Sequence, residues 1–178
     1  MKIIVITSPD KMPGEVSTIC RLLDDGIDSI HIRKPDWNET QCRELIEAIP
    51  EQYRCQLVLH QYFELCEEYH LKGIHLNKRH SYPPVDHKGT ISCSCHSLEE
   101  VIAQKPKMDY VFLSPIFDSI SKRGYCSAFP ISILKQAQSE GIIDAKVIAL
   151  GGVTYDKLPL LQKLSFGGGA MLGEIWNR

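Results

Sequence analysis

Asp28-Ser29-Ile30-His31-Ile32-Arg33 is a short run in which polar and β-branched residues alternate, and it lies between two stretches of helical periodicity. A side-chain period of two puts Ser29, His31 and Arg33 on one face and Ile30 and Ile32 on the other. The apolar pair belongs under helices, so the polar set faces inward. Before this run, Val16, Ile19, Cys20, Leu22 and Leu23 share one helical face that Gly26 terminates. After it, a helix is expected from Glu39 to Ala48, ending at Pro50. Strand 29–33 therefore reads as the second strand of a βαβ series that starts with a strand over Ile3 to Thr7.

The same pattern continues outward. Leu57 to His60, Gly73 to Leu76, Ile91 to Cys95, Tyr110 to Leu113, Val147 to Leu150 and Gly168 to Met171 complete eight candidate strands, and the Pro- and Gly-containing stretch Asn77 to Thr90 reads as a loop. Eight strand-helix units with right-handed crossovers close most simply into a (β/α)8 TIM barrel. The chain of 178 residues is short for that fold, and only Gly173 to Arg178 follow the eighth strand, so the last helix is truncated. Exposed barrel wall at that point would favour a homodimer. The runner-up is an open doubly wound sheet, but no G-x-G-x-x-G follows the first strand. Residues 1–178 are read as a single domain.

Composition narrows the partners. Hydrophobic residues make up 43% and charged residues 24%, enough apolar surface for a sizeable core. Twenty basic against 22 acidic residues give a formal net charge of −2, which offers no broad basic surface to nucleic-acid phosphates or to anionic lipid. The apolar run Ile3 to Ile6 is too short for a signal-peptide core or a membrane span, so a cytoplasmic location is expected. Seven cysteines, an odd number in a chain of this size, favour reduced thiols, and Cys93-Ser94-Cys95 lacks the further ligands of a closed zinc site.

Chemistry-bearing residues gather at the carboxyl ends of the strands, the end that carries function in barrels. Parity gives Gly73, His75 and Asn77 on strand four and Ser92, Ser94 and His96 on strand five, with Cys93 and Cys95 turned outward. His31, His60, His75 and His96 stand on or just past four consecutive strands. They could meet on a metal, but hydrogen-bonded packing is the preferred reading for His31 and His75, and no metal is assigned. His96 precedes Ser97, Leu98, Glu99 and Glu100, where Ser97 and Glu100 can form a capping box, and its imidazole could trade protons near neutrality. Gly151 and Gly152 after strand seven, and Gly167 to Gly169, Leu172 and Gly173 around strand eight, could bring backbone N–H groups to a phosphate. The stretch Ser114 to Gly124 carries Ser119, Ser121 and the Lys122-Arg123 pair on a loop suited to an anionic ligand.

These residues, in this order, resemble the thiamine phosphate synthase and TenI superfamily. Asp28 to Arg33 resembles its strand-two arginine motif, Gly73-Ile74-His75-Leu76 its Gly-Val-His-Leu, and Ser94-Cys95-His96-Ser97-Leu98-Glu99-Glu100 its Ser-Val-His-Ser-Leu-Glu-Glu. Asp109-Tyr110-Val111, Pro115-Ile116-Phe117, Ser119-Ile120-Ser121-Lys122 and Ala149-Leu150-Gly151-Gly152-Val153 match further motifs. The resemblance implies chemistry on a phosphorylated thiazole in thiamine biosynthesis. Synthases of this superfamily join it to a pyrimidine carrying a diphosphate, which Mg2+ neutralises through carboxylates after strands three and four. Here those positions hold His60-Gln61 and Asn77-Lys78-Arg79-His80, and the strand-two motif continues Arg33-Lys34-Pro35. With both carboxylates gone and Mg2+ preferring hard oxygen ligands, the leading expectation is a metal-independent TenI-like thiazole tautomerase with no cofactor. In it His96 is the acid/base, Arg33 and Lys122 hold anionic groups, Ser94, Ser119 and Ser121 position the ring, and Gly151, Gly152, Leu172 and Gly173 cradle phosphate. The alternatives are an active synthase, with Lys78, Arg79 and His80 supplying positive charge or with Mg2+ bound, and a non-catalytic ligand-binding barrel.

Overall fold

In a computed structural model of the chain, residues 1–118 and 129–176 are described. Eight strands are joined through helices except between β4 and β5, where a loop connects them: β1 (Lys2–Ile6), α1 (Glu15–Asp24), β2 (Ser29–Ile32), α2 (Glu39–Ala48), α3 (Glu51–Arg54), β3 (Leu57–Leu59), α4 (Glu64–Glu68), β4 (Gly73–Leu76), β5 (Thr90–Cys95), α5 (Leu98–Gln104), β6 (Tyr110–Leu113), α6 (Ile131–Ser139), β7 (Val147–Ala149), α7 (Leu158–Lys163), β8 (Gly168–Met171) and α8 (Gly173–Trp176). The strands form one closed barrel in sequence order from β1 to β8, as the alternation of strand and helix requires. Among the described residues the final helix is the four-residue α8. By its internal packing the chain divides into two compact units, Val5–Ile91 and Met1–Ile4 with Ser92–Arg178.

In the unit Val5–Ile91, β2, β3 and β4 pair in parallel. His31 lies opposite Val58, Ile32 opposite Leu59, and Leu59 opposite Ile74. Ile30, Ile32, Leu57, Leu59 and Ile74 are buried on the face that meets the helices. The interior face carries polar residues: Ser29, His31 and His75 are also buried. Helix α1 buries Ile19, Leu22 and Leu23, while Val16 and Cys20 are only half-buried at the edge of that face. Helix α2 starts at a reciprocal cap in which Asn38 Oδ1 accepts from Gln41 N and Gln41 Oε1 accepts from Asn38 N, so its boundaries coincide with those expected from periodicity. Gly73 has no room for a side chain, because a Cβ there would lie 2.1 Å from the carbonyl oxygen of Thr90.

In the other unit, β5 to β8 continue the parallel ladder, with Ser94 opposite Phe112, Leu113 opposite Ala149, and Ala149 opposite Gly169. Val111, Phe112, Leu113, Val147, Ile148 and Ala149 are almost wholly buried, the near-continuous apolar reading of strands covered on both faces. Cys93 and Cys95, expected to turn away from the interior, are both buried and share a thiol hydrogen bond that lowers the pKa of Cys93 and raises that of Cys95. Cys20, Cys42, Cys55, Cys66, Cys93 and Cys95 are all free thiols, and Cys126 lies outside the described residues. Among the described residues no helix is long and apolar enough to cross a membrane.

Candidate functional site

In the unit Val5–Ile91, register and side-chain parity assemble a group of imidazoles. His60 is two residues past Val58 and so shares the face of His31, while the pairing of Leu59 with Ile74 carries on to set His60 beside His75. His31 Nδ1 is 3.0 Å from His60 Nε2. The His60 and His75 rings stack with centroids 4.3 Å apart, and His31 meets their edges at 5.2 and 5.4 Å. Burial pushes the pKa of His31 and of His60 well below the usual histidine value, reinforced for both by the charge of His75 and, for His60, of His31 and Arg33. His75 is pushed down to about 3, by burial first and then by Arg33. These histidines are held in the neutral form in the folded protein.

A pH dependence follows from that depression. In the unfolded chain these histidines regain a pKa near 6.5, so below that pH the unfolded state binds more protons than the folded one. Their contribution to stability is complete above about pH 6.5 and is lost as pH falls toward the folded values. The slope approaches ~1.4 kcal/mol per pH unit for each histidine affected. Denaturant unfolding of the metal-free protein between about pH 6.5 and 5, above the carboxylate range, should show this decline. A level stability across that window would contradict it.

Arg33 follows β2 with its backbone pinned to Thr7: its N–H donates to Thr7 Oγ1 at 2.9 Å, and that hydroxyl donates to Arg33 O at 3.3 Å. The residue is exposed. The adjacent Lys34 goes elsewhere. Its ammonium is fully buried, donating to Glu15 Oε1 and Oε2 at 2.6 and 2.8 Å and to Asp10 O at 2.8 Å, with the Trp37 ring centroid 4.5 Å away. Sequence reading missed this pair. Its only trace was Glu15 at the head of an otherwise apolar helix face.

The positions that would carry magnesium carboxylates do not fit that ion. Gln61 Nε2 donates to Lys34 O at 2.6 Å, and Asn77 Nδ2 donates to His60 O at 2.7 Å. Asn77 Oδ1 accepts from the backbone N–H groups of Arg79 and His80 at 3.0 and 3.2 Å. Both amides thus tie loops together, and the residues beside Asn77 are the exposed bases Lys78, Arg79 and His80. A neutral amide pair flanked by positive charge lacks the hard anionic oxygens that Mg2+ needs.

In the other unit, His96 is exposed at the end of β5. Its Nδ1 lies 3.2 Å from the carbonyl oxygen of Ser114, just past β6. A carbonyl only accepts, so Nδ1 is the donor in this contact and Nε2 is the ring nitrogen left for a ligand. Ser97 caps α5 by accepting from Glu100 N at 3.2 Å. The Glu100 carboxylate, however, accepts from the His96 N–H at 2.6 Å, one residue earlier than a reciprocal box with Ser97 would place it. The effect is to anchor His96 itself. Ser94 is half-buried on β5.

Gly151 and Gly152 adopt φ of 91° and 61°, the left-handed region that glycine tolerates. They also pack tightly against the segment after β6: a Cβ at Gly151 would lie 2.8 Å from Pro115 Cα, and one at Gly152 would lie 2.1 Å from Asp118 O. Phe117 N donates to Gly151 O at 3.0 Å, and Lys157 Nζ to Gly152 O at 2.6 Å. The pair therefore has a packing requirement of its own beside any contact with phosphate. Gly167, Gly168 and Gly169 are likewise explained by close neighbours, since a Cβ on Gly168 would lie 2.3 Å from Lys2 O. Leu172 and Gly173 form the junction of β8 and α8, where Leu172 O accepts from Ile175 N and Trp176 N. Ser119, Ser121 and Lys122, assigned to ligand binding, lie outside the described residues.

Known proteins share this architecture and sequence. The family model described as thiamine monophosphate synthase, TMP-TENI, matches residues 3–175. A thiamine-phosphate synthase of Photorhabdus laumondii is 26% identical over 166 residues, covering 88% of this chain and 76% of that protein. A solved thiamine phosphate pyrophosphorylase of Bacteroides thetaiotaomicron is 42% identical with a TM-score of 0.90, covering 99% of this chain and 85% of its own. One from Pyrococcus furiosus shares the fold, with a TM-score of 0.74 at 19% identity over 99% of this chain and 88% of its own. With a match from the first strand to the last helix, the chain belongs to the thiamine monophosphate synthase family, TMP-TENI.

Proposed function

We propose that this chain is a thiamine-phosphate synthase, a transferase that joins a phosphorylated thiazole to a pyrimidine carrying a diphosphate and releases diphosphate. The observation that carries this reading is the likeness, at 42% identity over 99% of the chain, to a protein bearing that name. Relatives named for the transferase weigh against the tautomerase expected from the lost carboxylates. In this reading Lys78, Arg79 and His80 offer positive charge to the departing diphosphate, and Arg33 and Lys122 hold anionic groups. Ser94, Ser119 and Ser121 orient the thiazole, while backbone N–H groups of Gly151, Gly152, Leu172 and Gly173 receive its phosphate. A single domain over residues 1–178 and a cytoplasmic location belong to the same reading. So does a homodimer, supported by the exposed Ile131, Ile133 and Leu160 and read directly by light scattering.

Incubation with both substrates, once with Mg2+ and once with excess chelator, tests the assignment. Diphosphate release in both conditions is expected. No release in either overturns the transferase, and strict dependence on Mg2+ overturns the role given to the three bases.

The second reading, a tautomerase that moves one proton on a thiazole phosphate carboxylate, is favoured by one observation, the contact of His96 Nδ1 with Ser114 O that orients the exposed ring. In that case His96→Ala lowers isomerisation by about 10²–10⁴-fold, the usual worth of a general base. Thiazole-phosphate affinity should stay within about tenfold, since proton transfer and binding are separate demands. Unchanged isomerisation would remove His96 from the mechanism.

A further inference from the structure

We propose that His31, His60 and His75 form a binding site for one late first-row transition-metal ion of the zinc(II) type. Their ligand atoms all lie within 4.8 Å of one another. The closest pair, His31 Nδ1 and His60 Nε2, is 3.0 Å apart. In a tetrahedral zinc site with Zn–N near 2.0–2.1 Å, neighbouring nitrogens are separated by ~3.3 Å. The three ligand atoms thus stand within ~1.5 Å of that spacing, and the stacked His60 and His75 rings must turn apart to aim both lone pairs at one ion. His31 and His75 sit on β2 and β4, and His60 ends β3 with its N–H donating to Ile32 O at 3.2 Å, so all three are carried on a ladder that fixes their spacing.

The donor set selects the ion. Three imidazoles without a carboxylate suit Zn2+, Co2+, Ni2+ or Cu2+ and do not suit Mg2+ or Ca2+. Three protein ligands leave a fourth position open, the pattern of zinc sites that bind an exchangeable anion or water. The site adjoins the magnesium positions, since His60 precedes Gln61 and its carbonyl accepts from Asn77 Nδ2, but it is read by binding alone, so its failure would leave the proposed reaction intact.

The test uses the full-length untagged chain, stripped with chelator and titrated with Co2+ alone and with Zn2+ alone. One ion per chain is expected, with the visible absorption of four-coordinate Co2+ carrying nitrogen ligands, displaced by Zn2+. His60→Gln and His75→Gln should each lower affinity at least ~100-fold, beyond the range that changes outside the ligand set cause. Cys93→Ser should bind as the unaltered chain does. Absence of stoichiometric binding, a spectrum dominated by thiolate ligation, or equal affinity in the histidine variants would overturn the site. Should a histidine variant fold poorly, the unaltered chain still decides: Zn2+ should raise its thermal midpoint as mass action requires, and an unmoved midpoint at saturating Zn2+ counts against the proposal.

Discussion

Glu15→Ala is expected to destabilise the protein by about 3–5 kcal/mol, the range found when one partner of a buried ion pair is removed. Lys34 is 0% exposed and Glu15 4%, so the truncation strands an ammonium that water cannot reach. Asp10 O and the Trp37 ring remain, but neither carries the formal charge that balances Lys34. Replacing both residues, as Glu15→Leu with Lys34→Met, should recover most of the loss, because buried pairs exchanged for apolar side chains of similar volume are often neutral or better. Denaturant unfolding of Glu15→Leu, of Lys34→Met and of the double forms a cycle that isolates the pair. A loss below ~1 kcal/mol for Glu15→Ala would show that the ammonium finds another partner or reaches solvent.

Gly152→Ala is expected to cost about 2–5 kcal/mol. A left-handed conformation for a residue with a Cβ contributes roughly 1–2 kcal/mol, and overpacking adds roughly 1–3 kcal/mol. The added carbon would lie 2.1 Å from Asp118 O and 2.9 Å from Phe117 Cβ, so backbone must move. Gly26→Ala separates the two causes. Gly26 has φ of 91°, and an alanine methyl there would meet nothing within 4 Å, so only the backbone cost applies. Thermal unfolding of both variants should place Gly152→Ala clearly below Gly26→Ala, and equal losses would mean that the segment after β6 yields freely. Activity should fall with Gly152→Ala and not with Gly26→Ala if the turn after β7 shapes the ligand site.

Much of the fold was legible because burial leaves periodic marks. Strands β4, β6 and β8 begin and end where the apolar runs do, and the other five differ only by a residue at one or both ends. Strand β2 ends at Ile32, one residue before Arg33, since the Arg33 N–H turns to the Thr7 hydroxyl. The site was legible in part. Parity put His31 and His75 in the interior and His96 at a strand exit, but the role of Ser97 and Glu100 could be read only as far as the cap. That the Glu100 carboxylate would hold the His96 N–H depends on how the chain turns between β5 and α5.

From sequence alone came the order of eight strands and their helices, the closed barrel that order implies and the inward facing of Ser29, His31 and His75, because all of these follow from local periodicity and chain connectivity. Tertiary structure alone decided that His60 stacks on His75 with His31 at their edges, that Lys34 meets Glu15, and that Gln61 and Asn77 serve as struts between loops. Those outcomes depend on the register of one strand against the next and on distances through space between residues far apart in the chain, and no periodicity within a segment records them.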